Sequence, residues 1–133
     1  MNFSYRLIAA LLIVPAQFSQ TTYQIIPTEQ HSIEENYYRM RAALSQKIEN
    51  MRRLVILEKR LRLATGQACK QINQAQIIIK KVCDSYTEEN DDLTLEYSPE
   101  SFGRLEVLME NFEKEQKALM CRFMPRVAKM YYQ

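Results

Sequence analysis

The sequence predicts an all-α fold, either a long antiparallel helical hairpin or a three-helix bundle with coiled-coil-like packing, behind an N-terminal signal peptide. Three observations lead there. Only two of the 133 residues are glycine, which disfavours a turn-rich β fold. The four prolines stand at 15, 27, 99 and 125, so residues 28–98 run without a helix breaker of that kind. Apolar residues recur at steps of three and four over three separate stretches.

The chain opens with a single positive charge, Arg6, followed by the apolar run Leu7–Val14 and then Pro15. Eight apolar residues are too few to span a bilayer, which needs about 20. Val14-Pro15-Ala16 places small or apolar residues where a signal peptidase reads, so residues 1–16 are expected to be a signal peptide cleaved after Ala16, with Ser19 a second candidate. The expected localisation is secreted and extracellular, with no transmembrane anchor. The sequon at Asn2 would leave with the signal. Residues 17–31 are expected to be extended, and residues 32–133 a single helical domain.

A first helix is expected over about 32–65, on the stripe Ile33, Tyr37, Met40, Leu44, Ile48, Met51, Val55. A second, over about 67–88, carries Ala68, Ile72, Ala75, Ile79, Val82 and Tyr86 in alternating steps of four and three, like a coiled-coil seam. Whether the two are separate turns on Gly66. That glycine, following Arg60 and Arg62, suits a helix C-terminus. The heptad Leu54, Leu61, Ala68, Ala75, Val82 nevertheless passes through it without a phase shift, which favours one continuous helix at a cost of about 1 kcal/mol. An acidic loop is expected over about 89–98. Ser98-Pro99-Glu100 then makes a good helix start: a capping hydroxyl, a proline for the first turn and an acid at the positive dipole end. The third helix, over about 99–124, carries Phe102, Leu105, Met109, Phe112, Leu119 and Phe123, with Gln116 on the same line. Pro125 ends or kinks it ahead of a C-terminal tail.

Three cysteines in an exported chain allow one disulfide and one thiol left over. A hairpin whose loop centres near residue 95 brings Cys69 level with Cys121, so these two are the expected pair, worth about 4 kcal/mol by chain entropy. Rotation opposes it, because Cys121 sits nearly opposite the Phe102/Leu105/Phe112 stripe and a slip near Pro125 would be needed. Cys83 is then the free or intermolecular thiol. No Cys-x-x-Cys motif is present, and the one histidine, His31, is far from the cysteines in sequence, so no zinc site is expected.

Charge nearly cancels overall but is segregated. From Arg39 to Lys81, eleven basic residues stand against Glu49 and Glu58, a net of +9; from Asp84 to Glu115, eleven acids stand against Arg104 and Lys114, a net of −9. The basic stretch 39–62 could bind a polyanion or a membrane surface, but mutual neutralisation by the acidic third helix, for example Glu110 against Lys80, is the preferred account. Nucleic acid is not expected as a partner.

No catalytic constellation emerges. His31 beside Glu34 and Glu35 reads as an ordinary acidic helix start. There is no glycine-rich phosphate loop, Gly-x-Ser-x-Gly or His-Glu-x-x-His, and Glu88, Glu89, Asp91 and Asp92 lack calcium-loop spacing. No cofactor is expected. Adjacent helical residues point about 100° apart, so Tyr38 beside Tyr37, and one of Tyr131 and Tyr132, are available to meet a partner. The candidate partner surface is Tyr38, Arg39, Arg41, Arg52, Arg53, Tyr131 and Tyr132. Export, length and amphipathic helices are similar to those of short-chain helical cytokines, but three stripes against four helices, with no shared motif, assign no family. The expectation is a secreted, non-enzymatic protein that binds an extracellular protein as a ligand, modulator or secretion component. The alternatives are a self-assembling homodimer, joined through Cys83 or along the seam, and a polyanion-binding factor.

Overall fold

The computed structural model describes residues 26–93 and 96–133, with side chains from residue 32 onward. The signal peptide and its cleavage sites at Ala16 and Ser19 lie outside the described residues, as does the side chain of His31. Four helices and no strand occur among the described residues: α1 (Ile26–Ala64), α2 (Lys70–Asp92), α3 (Pro99–Phe123) and α4 (Pro125–Tyr131). None of them is long and apolar enough to cross a membrane.

The chain divides into two units, Met1–Glu35 and Asn36–Gln133. The described part of the first is the opening stretch of α1. It begins at Ile26, so the extended segment expected over 17–31 is already helical at its end. Pro27 is compatible with this, since the amide it lacks has no partner in a first turn.

The second unit holds the rest of α1 with α2, α3 and α4. Asn90 on α2 donates from Nδ2 to the Arg41 carbonyl and to Ser45 Oγ, and the Cys83 thiol donates toward the Ile48 carbonyl at 3.9 Å. Those contacts run α2 antiparallel to α1. Tyr86 meets Phe112 edge-on at 5.1 Å and donates to Glu115 at 2.8 Å, which turns α3 back against α2. The start of α3 accordingly lies beside Tyr37, through Phe102, and α4 meets Glu58. The unit is therefore three helices running up, down and up, with α4 folded back at the end.

The three stripes converge on one core. Tyr37, Leu44, Ile48, Met51 and Val55 are buried from α1, Ile72, Ala75 and Ile79 from α2, and Leu105, Phe112 and Phe123 from α3. Met120, Met124 and Val127 extend that core to α4. Burial of a large side chain such as Phe112 contributes about 2–3 kcal/mol before entropy is counted. Tyr37 closes the opposite end, its ring 5.5 Å from Tyr97 and its hydroxyl donating to the Leu93 carbonyl.

Gly66 breaks the chain, contrary to the continuous helix that the unshifted heptad favours. It sits at φ +71°, its amide bonds to the Leu63 carbonyl at 3.1 Å, and the Gln67 amide bonds to the Arg62 carbonyl at 2.8 Å. This is a Schellman cap, in which the left-handed residue comes at no steric cost when it is glycine. The heptad phase survives because both helices face the same core, and a helix folded back on its predecessor presents its stripe to that core too. Two further boundaries differ from expectation. The acidic run stays helical to Asp92, which shortens the loop, because Asn90 is anchored by α1. The C-terminal tail is largely helix α4, since Pro125 starts a new helix as well as ending the old one.

Candidate partner-binding surface

The most constrained polar group is Glu58, three positions beyond Val55 on the α1 stripe and fully buried. Its Oε1 accepts from the Val127 amide at 3.1 Å and its Oε2 from Arg62 Nε at 3.2 Å. The carboxylate thus caps the first turn of α4 from another helix. Arg126 reciprocates, donating to Thr65 Oγ1 at 2.8 Å and to the Leu61 carbonyl at the end of α1. Cross-capping of this kind is structural and fixes α4, and with it Tyr131 and Tyr132. Glu58 was legible only as a stripe position filled by an acid.

The residues expected to meet a partner do not form one surface. Tyr38 is exposed and packs edge-on against Tyr37, 5.2 Å between centroids. Arg39 is exposed, and Arg41 is half-buried with its Nε lacking a hydrogen-bond partner. Arg52 lies two helical turns and more away, engaged with Asp84 at 3.0 Å and with Thr87, while Arg53 leans toward Glu49. Tyr131 and Tyr132 are exposed at the end of α4, edge-to-face at 5.1 Å.

Among the described residues, grooves open on the second unit. One, about 530 Å³ between α2 and α3, is shallow and lined by Val107, Leu108, Glu89, Glu100 and Arg104. Another, about 290 Å³ between α1 and α2, is lined by Val55, Ile56 and Ile79, with Arg52 and Lys80 beside it. Both of those cations are taken up by Asp84, whose carboxyl is held below its usual range by hydrogen bonds from Lys80 and then Arg52. A third, about 260 Å³, joins Lys47, Glu113, Gln116, Lys117, Tyr131 and Tyr132. Lys47 and Glu113 pair at 3.3 Å there, and Lys117 Nζ stands 5.5 Å over the Tyr132 ring. Partial burial, more than the neighbouring charges, pushes the Tyr132 hydroxyl above its ordinary pKa.

The basic and acidic halves do neutralise one another, though through other pairs than Glu110 and Lys80. Glu110 pairs with Lys114 and Lys80 with Asp84, each along one helix, while Lys47–Glu113 and Arg52–Asp84 cross between helices.

All three cysteines are free thiols, so the expected Cys69–Cys121 disulfide is not formed. The register explains it. Tyr86 level with Phe112 and Glu115 centres the α2–α3 turn later than residue 95, which places Cys121 level with about residue 79. That is roughly 15 Å along α2 from Cys69, and Cys121 is exposed on the outer face besides. Cys83, expected as the free or intermolecular thiol, is a free thiol fully buried against α1, where burial raises its pKa. The stripes that a seam-joined dimer would use are likewise occupied within the chain. No group of residues suited to holding a metal ion occurs among the described residues.

No protein-family model matches this sequence, and neither a curated protein nor a solved structure does so.

Proposed function

We propose that this is an exported, non-enzymatic helical protein that acts by binding another protein, and that its working surface is the C-terminal face around Tyr131 and Tyr132. One observation carries the reading: two adjacent tyrosines, each more than 40 % exposed, stand over a cleft on a helix that cross-capping holds in place. Exposed tyrosines on a rigid element supply large contact area at little cost in conformational freedom, and such residues dominate interface energetics. Met130, also exposed, extends the apolar part of that face. Export rests on the order of charge, apolar run and small-residue exit in residues 1–16.

The polyanion reading is weaker, because Lys47, Arg52, Arg53 and Arg62 of the basic stretch are already paired with carboxylates. The test has two parts. The full chain expressed in cultured cells should be recovered from the medium beginning at Gln17 or close to it; recovery from the cytosol with Met1 intact refutes export. Immobilised protein should then retain a partner from the receiving fluid, and a Y131S/Y132S double variant of native helicity should lose it. Equal retention by the variant refutes the assigned surface.

A further inference from the structure

The cleft beside Tyr131 and Tyr132 is lined by Gln116, whose amide nitrogen, enclosed just behind the cleft wall, the fold leaves unanswered. Gln116 is 5 % exposed, on the core line of α3, and its Nε2 has no hydrogen-bond partner. A buried amide donor without an acceptor costs about 1–3 kcal/mol, and native structures tolerate few such groups. Around it the charges do not cancel. Glu113 is engaged by Lys47, leaving one net positive charge at the cleft, that of Lys117. Among the described residues no carboxylate lies within ion-pair distance of the Lys117 ammonium, which rests instead over the Tyr132 ring. The other walls are aromatic.

We infer that this cleft is a carboxylate-binding site whose occupant is a glutamate or aspartate side chain of the protein partner. The inference rests on the binding role proposed for this face. An incoming carboxylate supplies an anion for Lys117 and, once the Gln116 side chain turns to bring its enclosed Nε2 to the cleft, an acceptor for that donor. Charge-assisted hydrogen bonds of this kind are about twice as strong as neutral ones. The side chain's methylenes would lie against the tyrosine rings, and the volume of about 260 Å³ suits one side chain and little more. The α1/α2 groove offers no comparable site, since Arg52 and Lys80 are both spent on Asp84.

The test uses the full chain, uniformly labelled with nitrogen-15, and follows the side-chain amide resonances of Gln116. N-acetyl-glutamate amide should displace them saturably with a Kd in the millimolar range, as expected for a fragment of this size. The matched glutamine compound, which lacks the charge, should not. Lys117→Met should weaken binding about tenfold. Gln116→Met, close in volume and with helicity checked by circular dichroism, should weaken it to a similar degree, read there on the Tyr131 and Tyr132 rings. Unmoved Gln116 resonances, or equal displacement by the glutamine compound, overturn the site. Acetate acting as well as the glutamate compound overturns the assignment to a protein side chain. If K117M and Q116M retain a partner that Y131S/Y132S loses, the carboxylate site fails while the binding role stands.

Discussion

Glu58 accepts two hydrogen bonds with no solvent to replace either, so its removal should be costly. Glu58→Ala leaves the Val127 amide and the Arg62 guanidinium without their acceptor. We expect a loss of about 3 kcal/mol in urea unfolding. Glu58→Gln, which keeps one acceptor oxygen and the shape, should lose roughly half as much. At the other end, Tyr37→Phe removes the donor to the Leu93 carbonyl, at an expected cost of about 1 kcal/mol. The cysteines sort by exposure. In native protein Cys121 should react readily with a thiol reagent and Cys83 only after unfolding. The raised pKa of Cys83 also gives a sign. The folded state holds the proton more tightly than the unfolded chain, so this contribution is complete below about pH 8.5 and is lost as pH rises further. A urea midpoint that falls from pH 8 to pH 10 in the wild type, and falls less in Cys83→Ala, is the corresponding measurement.

Helix ends were the elements most open to reading in advance, wherever the cap was local. Ser98-Pro99-Glu100 announced α3, and Ser98 Oγ does accept from the Ser101 amide at 3.0 Å. Ser98→Ala should cost about 1 kcal/mol in thermal unfolding. The stripes were equally plain: Leu44, Ile48, Met51, Ile72, Ile79, Leu105 and Phe112 all reach the core from their periodicity. What was not legible depended on partners distant in sequence. The register of α2 against α3 is set by Tyr86 meeting Phe112 and Glu115, and an error of a few residues there was enough to suggest a false disulfide. The start of α4 needed a carboxylate from α1, which no local pattern contains. Gly66 shows the limit of periodicity, since an unbroken heptad reports which face is buried and says nothing of whether the chain has reversed. Gly66→Ala meets no neighbouring atom, so its expected cost of about 1 kcal/mol is backbone strain alone. Of the candidate site, Tyr131 and Tyr132 could be named from sequence, whereas Lys47 and Glu113 join them only through the fold.

Across the whole molecule, the near-neutral total conceals opposite halves of +9 and −9, folded against one another. Lys47–Glu113 and Arg52–Asp84 cross between helices, but both are solvent-exposed and each is worth at most about 1 kcal/mol. Raising salt from about 0.1 M to 1 M shortens the screening length from about 10 Å to 3 Å. It should therefore lower stability only slightly, and a fall of several kcal/mol would mean that the two halves depend on each other far more than these pairs suggest. The core and the cross-caps carry the fold. Because the Val127 amide points at a carboxylate supplied by a helix almost seventy residues earlier, its proton is a gauge of global opening. In deuterium it should be among the slowest to be replaced although only six residues of the sequence follow it. A tail that ordinarily frays would in this protein keep time with the interior.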